Sequence, residues 1–144
     1  RFRKSRFSTR LPTAYLYTAS HTWIEKRDAD VLRVGLTKFA TRMLGELVEI
    51  EFAAKPQSAV SVGEVIGWIE GFKALSDLYA VGTGKFVREN SKLIEDPERL
   101  LRFPYSDGWL YEIEGEPEPN ALTVQEYSSH VDSTIQVMLD AEQV

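Results

Sequence analysis

The residue best placed to do chemistry in this sequence is a lysine. Lys73 lies in Gly71-Phe72-Lys73-Ala74, between two strand-like runs, Val65–Glu70 and Leu75–Val81. A lysine at the tip of such a connection holds its amine away from the sheet, open to an enzyme that acylates it. Gly71 is expected to supply the positive φ that a tight turn often needs. Glu70, three residues before the lysine, offers a negative charge that a modifying enzyme can read. The same spacing also describes a solvated lysine in an ordinary turn, so on the pattern alone both readings stand.

Other reactive groups are scarce. The chain has no cysteine, which removes disulfides, thiolate nucleophiles and thiolate-bound metals together. Its two histidines, His21 and His130, lie far apart without a helical metal-ligand spacing. No G-x-S-x-G elbow supports a serine nucleophile. Asp28 and Asp30 read as solvated turn charges rather than metal ligands, and Trp68 and Trp109 as strand residues that pack a core. Redox or group-transfer chemistry would therefore need an attached cofactor.

The elements that must position Lys73 are short and mostly β. Trp23–Lys26 and Val31–Val34 flank the polar stretch Arg27-Asp28-Ala29-Asp30, as in a hairpin. Thr37 is an N-cap for a short helix through Leu44, with Phe39, Ala40, Met43 and Leu44 on one face and Gly45 ending it. Leu47–Phe52 alternates like a half-buried strand. A short strand around Ala59–Val62 precedes the lysine hairpin. Gly82-Thr83-Gly84 is expected to turn the chain into Lys85–Glu89, and residues 91–103 to hold one irregular helical turn. Trp109–Glu114 is a further strand, and Gly115-Glu116-Pro117-Glu118-Pro119-Asn120 is expected to break the sheet. From Leu122 to Leu139 apolar residues recur at steps of three to five, which predicts one or two C-terminal helices. This pattern indicates a mainly β fold, a small barrel or sandwich with α additions.

At 144 residues the chain fits one domain, spanning 14–144 behind a basic extension over residues 1–13. The net charge of −5 conceals five basic residues and no acid in RFRKSRFSTR. Without those five cations, 12 basic residues face 22 acidic ones, a balance of −10. Such a start fits a segment that docks on the acidic body, a mitochondrial targeting remnant or a nucleic-acid arm. The body's own field repels phosphates, so nucleic acid is not an expected partner. No apolar run is long enough to span a bilayer, so neither is a membrane.

Five separated segments resemble one family. Glu70-Gly71-Phe72-Lys73-Ala74-Leu75-Ser76-Asp77-Leu78-Tyr79 is similar to the E-S-V-K-A-V-S-D-[LVI]-Y segment of glycine-cleavage H proteins, whose lysine is lipoylated. Tyr17–Trp23 resembles their Y-[ST]-x-x-H-E-W, and Val34–Ala40 their V-G-I-T-x-[YF]-A. Leu44–Val48 resembles L-G-D-[IL]-V, and Pro104–Leu110 resembles P-Y-G-x-G-W-[LM], so the match covers most of residues 15–114 in the family's order. The departures are Gly71-Phe72 for Ser-Val, Thr22 for Glu, Ala80–Val87 for a P-V-S-G-E-V segment, and Asp96-Pro97 for Asn-Pro. A biotin carrier would flank its lysine with methionines, which Phe72 and Ala74 are not. The lipoyl domains of 2-oxoacid dehydrogenases resemble D-K-A at this point.

The resemblance implies a flattened β barrel-sandwich hybrid with a short internal helix and a C-terminal helix. It implies a carrier rather than an enzyme, with lipoic acid joined covalently to Lys73. Glu70 and Gly84 resemble positions that the lipoylating enzyme recognises. The implied role is to shuttle the aminomethyl group of glycine from a glycine decarboxylase to an aminomethyltransferase. A dihydrolipoyl dehydrogenase would reoxidise the arm, and a lipoate ligase or lipoyl-synthesis enzymes would load it. The expected location is the cytoplasm, with the mitochondrial matrix as the alternative. Two rival roles use the same fold: an H-like lipoate-binding protein carrying sulfur intermediates for a heterodisulfide-reductase-like system, and an unlipoylated interaction module. A stand-alone enzyme would need a catalytic constellation that the sequence does not display.

Overall fold

Runs of β-branched and aromatic residues broken by turns produce eleven strands among residues 1–142, the part of the chain that the computed structural model describes. The last two residues of the expected 14–144 domain lie outside it. β1 (Phe2–Lys4) and β2 (Phe7–Thr9) form a hairpin, followed by β3 (Leu16–Tyr17), β4 (Thr22–Lys26) and β5 (Val31–Leu36). After helix α1 (Lys38–Leu44) come β6 (Leu47–Phe52), β7 (Ala59–Val60), β8 (Val65–Gly71), β9 (Leu75–Tyr79) and β10 (Gly82–Glu89). Two single-turn helices, α2 (Lys92–Glu95) and α3 (Arg99–Arg102), replace the one irregular turn expected there. β11 (Tyr111–Pro117) and one long helix, α4 (Val124–Glu142), complete the order.

Two sheets enclose the main core. One has six strands in the order β3-β4-β5-β11-β10-β7, the other three in the order β6-β8-β9. Ile24, Leu32, Val34 and Ile113 of the first pack with Ile66, Ile69 and Leu78 of the second in a single buried cluster. This sheet-on-sheet arrangement with helical additions is the barrel-sandwich architecture expected.

The glycines at the β10–β11 crossing overturn two expectations. Gly82-Thr83-Gly84 does not turn but lies within β10, and β11 continues through Gly115 to Pro117 instead of breaking. Gly84 and Gly115 face each other in register. A Cβ on Gly84 would run into the Glu114 carbonyl, and one on Gly115 into the Thr83 carbonyl. Glycine here permits close approach of two backbones inside a sheet.

The helices are capped as their sequences dictate. Thr37 accepts from the Ala40 amide and Gly45, at φ 77°, ends α1. α4 starts in a capping box, with Thr123 N donating to Glu126 Oε1 at 2.9 Å and Glu126 N to Thr123 Oγ1 at 3.2 Å. Its buried residues Tyr127, Val131 and Ile135, four apart, pack a second cluster with Tyr17, Trp23 and Phe39. Phe7 of the β1–β2 hairpin joins that cluster. No helix among the described residues is long and apolar enough to cross a membrane.

Candidate functional site

Lys73 occupies the connection between β8 and β9, and it is exposed. The Gly71 amide donates to the Ala74 carbonyl at 2.9 Å, closing the turn. Three further bonds tie this tip to α1 and the residues just after it. Lys73 N donates to the Leu44 carbonyl at 3.0 Å, Phe72 N to the Glu46 carbonyl at 3.0 Å, and Lys73 Nζ to the Arg42 carbonyl at 3.1 Å. The last carbonyls of a helix lack partners within it and favour a cation, so the ammonium and the hairpin backbone both satisfy α1.

Gly71 corrects a sequence expectation. Its φ is not positive; it is the last residue of β8. A Cβ there would meet the Leu44 carbonyl and lie 2.7 Å from Leu44 Cγ. Glycine is needed because β8 passes hard against the end of α1. The positive φ belongs to Gly45, whose added Cβ would lie 3.0 Å from Lys73 Cγ.

Glu70 is half-buried at the end of β8, in register with Glu49 of β6. Carboxylates directly opposite each other across a strand pair repel and cost stability. Glu46 and Glu49 are both exposed. Gly84 lies in the other sheet, where the backbone crossing alone requires a glycine. The structure therefore brings Glu70 beside Lys73 through one strand, and Gly84 sits on a different element.

Beside the hairpin lies a cavity of about 230 Å³. Ala40, Met43 and Leu44 of α1, Ile69 of β8 and Leu78 of β9 form an apolar wall, and Ala74 brings it next to the lysine. Met43 and Tyr79, both nearly half exposed, stand at its rim. Its lining was not visible in the sequence as a site, because it is assembled from segments far apart in the chain. Met43 gave a partial signal as the outer residue of the apolar face of α1. An aliphatic chain fits such walls, which agrees with a lipoyl group on the neighbouring amine. Among the described residues, no cluster of histidine and carboxylate side chains is arranged to hold a metal.

His21 forms part of the same cavity wall. Its Nδ1 pairs with the Tyr127 hydroxyl at 2.9 Å, and its ring packs 4.7 Å from Phe39 and 5.2 Å from His130. Burial, with the neighbouring His130 adding to it, lowers His21 to about 4. A histidine that stays neutral when folded takes up its proton more readily once unfolded. Stability is therefore unaffected above pH 6.5 and falls as the pH drops from there toward 4. After discounting for solvent at this half-buried ring, the loss is about 1–2 kcal/mol. Urea unfolding at pH 7 and pH 4.5 checks it, and His21→Asn should remove that part of the pH dependence. Trp23 is wholly buried, its Nε1 donating to the Pro104 carbonyl at 2.8 Å, so it serves the core and not the cavity.

A family model described as Glycine cleavage H-protein matches residues 15–134. The chain belongs to the glycine cleavage H-protein family. A glycine cleavage system H protein of Rubrobacter xylanophilus is 35% identical over 122 residues, covering 85% of this chain and 95% of that protein. One from Dinoroseobacter shibae is 42% identical over 103 residues, covering 72% of this chain and 82% of the other. The crystal structure of a glycine cleavage system H protein from Mycobacterium marinum aligns with a TM-score of 0.74 and 34% identity, over 83% of this chain and 97% of that one. These relatives bear the glycine-cleavage name throughout, and none supports the sulfur-transfer role. Lys73 and Glu70 both fall inside the matched span, while residues 1–14 precede it.

Proposed function

We propose that this H-family chain is the lipoyl carrier of a glycine cleavage system, with the lipoyl group joined to Lys73 Nζ. The supporting observation is the Lys73 amine itself, exposed at the tip of the β8–β9 hairpin in a chain of this family. When bound, the lipoyl group supplies a reducible disulfide that can take the aminomethyl group of glycine and give it up again. The chain's own residues contribute position and shelter. The α1 carbonyls fix the hairpin that presents Lys73. The apolar wall of Ala40, Met43 and Leu44 keeps water from whatever rests against it. Acylation turns the ammonium into a neutral amide, which weakens its hold on the Arg42 carbonyl and frees the side chain to move.

No residue of the chain needs to act as a catalyst in this role. The partners are a glycine decarboxylase, an aminomethyltransferase, a dihydrolipoyl dehydrogenase and a lipoylating enzyme. Glu70, three residues before the lysine, and Gly84 are recognition points for the last of these, and the strand crossing also requires glycine at position 84. The cytoplasm is the location that suits the reading.

Exchange of bicarbonate into glycine by a glycine decarboxylase tests the role. The lipoylated chain is expected to stimulate exchange saturably. A lipoylated chain that gives no stimulation would remove glycine cleavage from the account while leaving the attachment site in place.

A further inference from the structure

The β1–β2 hairpin lies outside the span that the family model matches, yet it is built onto the domain. Phe7 is buried edge-on to Phe39, with ring centroids 5.6 Å apart. Lys38 Nζ donates to the Ser8 carbonyl at 2.8 Å, and the Thr9 and Tyr105 hydroxyls pair at 2.9 Å. A two-stranded hairpin is marginal by itself, so these anchors fix where its cations stand. Arg3, opposite Ser8, is exposed, as are Arg6 in the turn and Arg10 after β2. Among the described residues, the only hairpin cation with a carboxylate partner is Lys4, 3.6 Å from Asp132.

The hairpin that carries these cations meets α1 through Phe7 and Ser8, and α1 in turn contacts Lys73. The Arg42 guanidinium lies over the Phe7 ring at 5.8 Å, and the Arg42 carbonyl receives Lys73 Nζ at 3.1 Å. Glu46, whose carbonyl accepts from Phe72 N, and Glu70, in register with Glu49, lie on the segments joined to the lysine hairpin. Lys73 is thus joined through α1 to a cationic hairpin, on a body whose remaining balance is −10.

We propose that the β1–β2 hairpin and Arg42 form the docking surface for an acidic patch on the enzyme that lipoylates Lys73. The proposal rests on Lys73 being the lipoyl site. Of the proteins a carrier meets, the lipoylating enzyme must reach the bare amine, which lies against α1 with no arm to span a gap. Its footprint therefore covers the surface around Arg42, whereas enzymes that work at the far end of an arm can stand off. In the step itself an amide bond forms between Nζ and the acyl carbon of an acyl adenylate. The acyl–phosphate bond breaks, the adenylate leaves, and the amine gives up a proton to solvent. The hairpin cations orient the encounter, since they attract an acidic rim on the enzyme that the acidic remainder of the body repels elsewhere.

The test is lipoylation of the full chain by its host's lipoate–protein ligase with lipoate and ATP, at low and high ionic strength. The variant Arg3→Glu/Arg6→Glu/Arg10→Glu leaves Phe7, Lys38 and the Lys73 hairpin untouched. Lys26→Glu/Lys55→Glu/Lys85→Glu makes the same change in net charge elsewhere on the surface. At low salt the hairpin variant should raise KM for the carrier about tenfold with kcat unchanged, and the difference should close at high salt. The matched control should stay within about twofold of the parent. Thermal unfolding verifies that both variants fold. An unchanged KM, an equal rise in the control, or a rise that persists at high salt would overturn the docking surface. A parent chain that is not lipoylated at Lys73 would remove the proposed function too, so the two failures are distinct.

Discussion

Replacing Lys73 with arginine is expected to abolish carrier activity outright while leaving the fold intact. Arginine keeps a cation that can donate to the Arg42 carbonyl, so the contact between the hairpin and α1 survives. Its guanidinium stays protonated and cannot act as the acyl acceptor. In a bicarbonate–glycine exchange assay, Lys73→Arg treated with lipoate and a ligase should give no rate above the carrier-free background. Its unfolding free energy should stay within about 0.5 kcal/mol of the parent, as for an exposed substitution. Residual carrier activity in this variant would mean that another residue bears the arm.

The largest effect on stability is expected at Glu112. Glu112 lies on β11 between β5 and β10, and its side chain is 1% exposed. Arg33 Nε donates to one oxygen at 2.9 Å and Arg88 Nε to the other at 2.7 Å. Arg33 is also stacked over Trp109 at 4.5 Å, which prevents it from swinging out to water. Glu112→Ala would strand a largely buried guanidinium and is expected to cost about 3 kcal/mol. Urea unfolding measures it, and a loss below about 1 kcal/mol would show that the triad contributes little. Glu112→Gln, which keeps an acceptor, should fall between the parent and the alanine variant.

The lysine hairpin was legible in the sequence because its signal is local. Two β-rich runs, a short connection and an acidic neighbour all sit within residues 65–81, and the turn closes on itself through Gly71 and Ala74. α1 was legible for the same reason, since its cap and its stop, Thr37 and Gly45, are adjacent to it in sequence. What failed depended on distant segments. Gly82, Gly84 and Gly115 look like turn residues from their own neighbours, and only the crossing of β10 and β11 shows that they let backbones touch. Gly71 suggests a positive-φ turn from its own neighbours, but its constraint comes from Leu44, 27 positions earlier in the chain. The Arg33–Glu112–Arg88 triad and the cavity beside Lys73 likewise exist only once strands from both ends of the chain are paired. The basic start of the chain was visible as charge, while the aromatic anchor at Phe7 that holds it in place was not.

The most direct test of the account is the intact mass of the chain, with peptide mapping, after incubation with lipoate, ATP and a lipoate ligase. The account predicts a gain of one lipoyl group, mapped to Lys73 and absent from Lys73→Arg. No gain under conditions that fully modify a standard H protein, or a gain at another lysine that persists in Lys73→Arg, would contradict it.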